Sequence, residues 1–435
     1  MRPSRSPKAA GATRTREIAA IGRDLPGLDW LNFFIANFQT GFGPFISVYL
    51  TSAGWTQGAI GAALSAGTIA GMASQVPAGA LVDAVRSKSL AAAVAIALIA
   101  VSALAIALWP NFLAITAAEI LHSFASAVLG PAIAAISLVL VAPAAFGERL
   151  GRNARYAALG NAVGAALMGA CGYYLTERAV FLFAAALGLP ALAALQVLRK
   201  ADPTTAAGRK NPDSAPTQTG ARSWRSLHDW RLLAFAGCAA LFHLANAAML
   251  PIAAAAVTKR AGGEAATLII AGCIVGPQVV TALLSPWVGR AAELWGRRPI
   301  LLLGFSAVPI RGFLLASIAH PYLTIPIQLL DGLGAAVFGV LFPLIVADIT
   351  RNTGHYTTSL GVVGLAIGGG ATLSTMAAGL VADQLGGGAA FLSLGVVGIC
   401  ATALVWAVMP ETRPSSGATP QPSSCKQSGR RVAHL

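Results

Sequence analysis

Glu119 and His122 stand three positions apart in ITAAEILHSFASAVLGPAI, so a helix carries both on one face. A carboxylate and an imidazole in apolar surroundings can exchange protons near neutral pH, which is the chemistry of a proton-coupled site. Gln328 and Asp331 repeat the spacing in IPIQLLDGLGAAVFGVLFPL, 209 positions later. His243 and Asn246 form a third pair of this kind, and Asn246 stands 209 positions after Asn37. Gln39 follows Asn37, and Arg311 sits alone in an otherwise apolar run. Glu119, His122, Asp331 and His243 are thus proton-coupling candidates, and Asn37, Gln39, Asn246, Gln328 and Arg311 are candidates to line a substrate cavity. The plainer roles are structural. Glu119 with His122 could be a fixed hydrogen-bonded pair, and Asp331 with Arg311 is either scaffold or switch. Phe33, Phe34, Phe38 and Phe42 read as packing.

A second set of charges lies in a short stretch that occurs twice. GALVDAVRSKSL at 79–90 pairs with GRAAELWGRRPI at 289–300, so Gly79 aligns with Gly289, Asp83 with Glu293 and Lys88 with Arg298, 210 positions apart. Each copy is a charged hinge between long apolar runs, which marks two homologous halves.

The elements that must hold these residues are membrane helices. The chain is 56% hydrophobic and only 11% charged, with mean hydropathy +0.70. A soluble domain carries about 25% charge. Apolar runs of bilayer-spanning length fall at 29–50, 58–80, 89–108, 112–141, 156–176, 179–198, 232–256, 265–288, 299–319, 322–347, 357–382 and 389–409. With the N-terminus in the cytoplasm, 26 of the 30 Lys and Arg fall on the cytoplasmic side. That distribution follows the positive-inside rule. It accounts for the net charge of +14 as topology and leaves no call for nucleic acid. No cleavable signal peptide is expected. At about 1.5 Å per residue, Glu119 lies roughly 10 Å below the outer face and His122 roughly 15 Å. Ionisable groups at such depth mark function. The first run is unusually polar for a membrane helix (Asp29, Asn32, Asn37, Gln39, Thr40), so one face must look into the protein or a wet cavity. The five cysteines form no CxxC, so no metal site is supported.

The hinge residues resemble motif A of the major facilitator superfamily, G-x-L-x-D-x-x-G-R-K/R after helix 2. The resemblance covers roughly residues 29–410. The second copy fits at Gly289, Glu293, Gly296, Arg297 and Arg298. The first keeps Gly79, Leu81, Asp83 and Lys88, with Arg86 at the motif's second glycine and Ser87 at its arginine. The resemblance implies an all-α membrane protein, with twelve transmembrane helices in two pseudo-symmetric six-helix bundles. It also implies gating. Asp83 would hold the start of the eleventh helix near Thr357, and Glu293 the fifth near Tyr156, biasing an outward-facing state. Arg86, Lys88, Arg297, Arg298 and Asp348 complete the expected gate. Two other family motifs are altered. Glu119 stands where many proton-coupled members carry an arginine in motif B, with His122 and Ser123 in place of Gln-Gly. In the exporters' motif C, Gly160, Gly164 and Gly169 fit, but Ala165 replaces the proline and Met168 a glycine.

The expected organisation is a disordered basic tail (1–28), a first bundle (29–198), a basic linker (199–229), a second bundle (230–409) and a solvated tail (410–435). The expected function is secondary transport of a small solute by alternating access at the bacterial inner membrane, with both termini cytoplasmic. Proton-coupled efflux leads, and import or facilitated entry of a nutrient or chelate is the alternative. A membrane enzyme would need HExxH, GxSxG or acids at metal spacing, and a nucleotide-driven pump a phosphate loop; neither pattern is present. A non-transporting sensor that kept the fold is the remaining rival. No cofactor beyond the proton gradient is expected, and a monomer is the family default.

Overall fold

In lipid, every backbone polar group must find its partner within the segment, so a chain this apolar folds as helix after helix. The computed structural model describes residues 25–39, 42, 44–201, 229–261, 263–318, 320–351 and 353–413. The expectations for Thr40, Gly41, the basic tail to residue 24, the linker over 202–228 and the tail from 414 onward lie outside the described residues.

The first crossing carries α1 (Pro26–Gln39) and α2 (Pro44–Ser52). α3 (Gln57–Ala84), α4 (Lys88–Leu108), α5 (Phe112–Leu140), α6 (Phe146–Tyr174) and α7 (Glu177–Ala201) complete the first half. The second half opens with α8 (Trp230–Asn246) and α9 (Met249–Ala261), one crossing in two pieces. It continues through α10 (Gly263–Trp295), α11 (Arg297–Ser317), α12 (Thr324–Ile349), α13 (Tyr356–Leu385) and α14 (Gly387–Val408). Side-chain caps start many of these helices: Thr56, Ser87, Asn111 and Asp229 each accept a first-turn N–H.

Ten of these crossings are long and apolar enough to span a bilayer by composition. The other two are α1 with α2, which is interrupted, and α6, whose first turns carry Glu148, Arg149, Arg152 and Arg155. Those charges make the fifth apolar run begin only at residue 156 in the sequence. The helix begins at Phe146 instead, because the charges are paired within the protein (below). α7 likewise runs into the expected linker, as far as Ala201.

Two large apolar cores form among the described residues, with a small third at Val257, Ile269 and Cys273. One draws on residues between Leu28 and Leu198; the other runs from Leu232 to Met409 and adds Phe146 and Leu150 from the start of α6. Across the halves, α3 packs on α13 and α6 on α10, with lesser contacts of α6 on α12 and α5 on α13. Glycines set the distance. A Cβ at Gly79 would run into the Thr357 carbonyl, and one at Gly289 into the Gly147 carbonyl. Gly361 meets the Gln75 carbonyl as Gly151 meets that of Ser285. In both comparisons the glycines are 210 positions apart, and so are their partners. The sequence repeat is therefore also a repeat of contacts between the halves.

Candidate functional site

α5 brings Glu119 and His122 onto the face that meets α1–α2 and α3, but no hydrogen bond joins the two. The His122 ring stacks on Phe42, with centroids 3.7 Å apart and planes 10° from parallel. Its Nε2 lies 3.5 Å from Ser126 Oγ, to which the Gln39 side-chain amide donates at 3.2 Å. Glu119 is 6% exposed, and its Oε1 has no hydrogen-bond partner among the described residues. Gly67 of α3 faces it: a Cβ there would come within 3.1 Å of Glu119 Oε2.

Gly67, His122 and Ser126 line a cavity of about 550 Å³ between the halves. α3 adds Thr68, Gly71, Met72 and Gln75; α12 adds Phe342 and Pro343; α13 adds Leu360 and Gly364. Its polar side chains among the described residues are Thr68, Gln75, His122, Ser123 and Ser126, and no Lys, Arg, Asp or Glu is among them. Of the residues named from sequence for cavity or proton coupling, His122 is the one in this lining.

The corresponding groups of the second half form a closed polar cluster. Arg311, 1% exposed, ion-pairs with Asp331. It donates to Asn246 Oδ1 at 2.7 Å, to the Asn246 carbonyl at 3.3 Å and to Met249 Sδ at 3.2 Å. The Asn246 amide donates to Asp331 Oδ1 at 3.1 Å. Asn246 ends α8, so the cluster sits at the break in this crossing. Just beyond, the Ala248 N–H donates to Ser374 Oγ of α13 at 3.1 Å, satisfying a group the break releases. His243 meets Phe338 edge to face at 5.0 Å, and its Nε2 has no partner among the described residues. Gln328 and Asn37 are buried, and their side-chain oxygens also lack partners there.

The hinges close one end of the molecule. The Asp83 carboxylate accepts from the Thr357 N–H at 3.1 Å, the Thr358 N–H at 2.8 Å and the Thr358 hydroxyl at 2.7 Å. Thr357 Oγ1 donates back to the Gly79 carbonyl at 2.7 Å. An anion thus meets the positive end of α13. Glu293 accepts from the Gly147 N–H at 3.1 Å. That contact lies at the start of α6, not near Tyr156 as expected, because α6 begins ten residues earlier. Arg297 joins Glu293 at 3.1 Å and Asp348 at 2.9 Å, and Arg351 reaches Asp348 at 3.5 Å. Lys88 donates to the carbonyls of Asp83 at 3.2 Å and Val85 at 2.9 Å, closing the end of α3. Arg86 is exposed. The turns explain why the copies differ. α10 and α11 are joined through Gly296 alone, at φ +101, where glycine is favoured. α3 and α4 are joined by three residues, with Val85 and Ser87 extended, and the first hinge has no need of such a glycine.

Two groups went unrecognised in the sequence. Asp29, buried on α1, pairs with Arg149 and Arg152 of α6; Arg149 also donates to Asn153, and Asn153 to Ser137 of α5. The arginines' i, i+3 spacing was its visible signal. Glu411 was read as solvated tail. Its carboxylate instead accepts the N–H groups of Arg297 at 2.8 Å and Arg298 at 3.1 Å, capping α11, while Arg298 donates to the Trp406 carbonyl.

The sequence model of the Major Facilitator Superfamily matches residues 28–276 and 235–430. An uncharacterized MFS-type transporter of Mycobacterium tuberculosis, recorded in strains H37Rv and CDC 1551, is 37% identical over 398 residues. That match covers 91% of this chain and 95% of the relative. The crystal structure of the E. coli fucose:proton symporter superposes with a TM-score of 0.67 at 14% identity, over 88% of this chain and 97% of that one.

Proposed function

This chain belongs to the major facilitator superfamily, a family of multi-pass membrane transporters, and from that premise we propose that it couples export of a small organic solute to proton entry at the inner membrane. The observation that carries the reading is Glu119. It is a carboxylate 6% exposed, with an oxygen that has no partner among the described residues, behind Gly67 at the wall of a cavity between the halves. In the second half, Gln328 stands at the position of Glu119, and the carboxylate nearby, Asp331, is neutralised by Arg311. One half therefore offers a proton-binding group, and the other a fixed ion pair. An uncharged, partly apolar lining suits a neutral or cationic solute of drug size. Asp83 and Glu293 hold the hinge end shut, so with that end in the cytoplasm the cavity belongs to an outward-facing state. Protonation of Glu119 would remove its charge and favour the alternative state.

The test begins with an overexpressing strain screened against drugs, metabolites and metals. Any compound to which it confers resistance is then assayed in inverted vesicles made acid inside. Uptake that collapses with the pH gradient, and in Glu119→Gln, is the expected result. Uptake indifferent to the gradient overturns the coupling. Import is the second reading, favoured by Ala165 and Met168 where exporters of the family carry proline and glycine; it predicts accumulation in right-side-out vesicles instead.

A further inference from the structure

The first hinge departs from the family pattern at Arg86 and Ser87, and neither closes the gate. Both stand at the mouth of a second hollow of about 490 Å³, between α3, α4 and α5. Its walls are apolar: Leu81 from α3, Val85 just past its end, Leu90, Val94 and Leu98 from α4, Phe124 and Val128 from α5. Gly79 faces α13, and Leu81, two residues on, turns about 200° around the helix to the opposite side. The hollow therefore opens away from the other half, towards lipid. Leu81 is 45% exposed, Leu90 56% and Val94 49%. Along α4 it runs from the first turn at Lys88 to Leu98, about 15 Å at helical rise, which matches half of the ~30 Å hydrocarbon core. Lys88 is turned inward onto the end of α3. Arg86 forms no ion pair among the described residues, stands exposed in the turn where the α3 span ends, which is where a headgroup would lie, and sits beside the positive end of α4.

We propose that this groove is a binding site for one anionic phospholipid, with an acyl chain along Leu90, Val94 and Leu98 and the phosphate on Arg86. Depth, apolarity and charge select this occupant together. A soluble solute could not reach a groove that opens into the bilayer, and a zwitterionic lipid would leave Arg86 without a net counter-charge. A cation between membrane helices at the interface is a known recipe for anionic headgroups.

The test uses the purified full-length protein and native mass spectrometry, with phosphatidylglycerol and phosphatidylcholine added in equal amounts. Wild type should retain one phosphatidylglycerol in preference to phosphatidylcholine. Arg86→Ala should lower that preference about five-fold, the factor equivalent to ~1 kcal/mol per interfacial cation, Arg86→Lys should keep most of it, and Val94→Trp, which fills the groove, should lower the retention of phosphatidylglycerol. Both sites are exposed, so folding should survive; Leu90→Trp is a second groove-filling variant. Equal retention of the two lipids by wild type overturns the proposal. So does loss in Arg86→Ala with full retention in both tryptophan variants, or displacement by glycerol phosphate alone, since either places binding on the headgroup without the groove. None of these measurements reads transport, so the outcome is independent of the coupling and direction proposed above.

Discussion

Two buried-site carboxylates, Glu119 in the first half and Asp331 in the second, lie in opposite circumstances, and substitution should separate them. Asp331→Asn leaves Arg311 buried without its counter-charge, which costs about 3–5 kcal/mol. Thermal unfolding in detergent should show a clear fall in Tm. Glu119→Gln breaks no ion pair among the described residues, so its Tm should stay near wild type while proton-driven transport is lost. A Glu119→Gln protein that transports normally would sink the coupling role. Asp83→Asn weakens charge-assisted bonds worth about 1.5–3 kcal/mol each. The hinge end should then open more often by ten-fold or more, read as faster labelling of a cysteine placed behind it. Sequence spacing put Glu119 and His122 on one helix face, because a helix period is a local signal, and the family resemblance put Asp83 at Thr357. Neither could find Asp29 with Arg149, whose pairing depends on how α1 and α6 meet over 120 residues of chain.

At the scale of helices, close approach is the controlling quantity. Gly79→Val would drive its side chain into the Thr357 backbone, and Gly289→Val would do the same at Gly147. Either variant should prevent the hinge end from closing, seen as hinge-side cysteines reactive in both the presence and absence of solute. The two variants should resemble each other more than either resembles Gly130→Val, where a side chain meets open space. The cap on α11 gives a gentler test. Glu411→Ala removes acceptors from the Arg297 and Arg298 N–H groups, a loss of about 1 kcal/mol. Hydrogen exchange at those two amides should quicken about five-fold, with the rest of α11 unchanged. Most helices were legible because apolar length is a strong signal. The start of α6 was not, since Arg149 and Arg152 read as loop until their partner is known. Glu411 was missed for the converse reason: its role comes from packing against a hinge more than a hundred residues away.

At the scale of the whole molecule, the two halves hold their ends shut by different means. Asp83 is met by amides and a hydroxyl, whereas Glu293 stands in a network with Arg297, Asp348 and Arg351. The repeat itself, though, goes deeper than the hinges. α3 on α13 and α10 on α6 are one contact made twice, with Gly79 and Gly289, and Gly361 and Gly151, exchanging roles. Each half carries both the glycine and the carbonyl it docks against, which is the self-complementary patch of a two-fold dimer. None of the contacts named here uses residues 202–228. A chain severed within that stretch should therefore reassemble: residues 1–201 and 229–435, made as separate polypeptides, should co-purify. Gly79→Val in one fragment should abolish the association. The protein would then be, in its geometry, a homodimer whose subunits have been tied together and allowed to specialise.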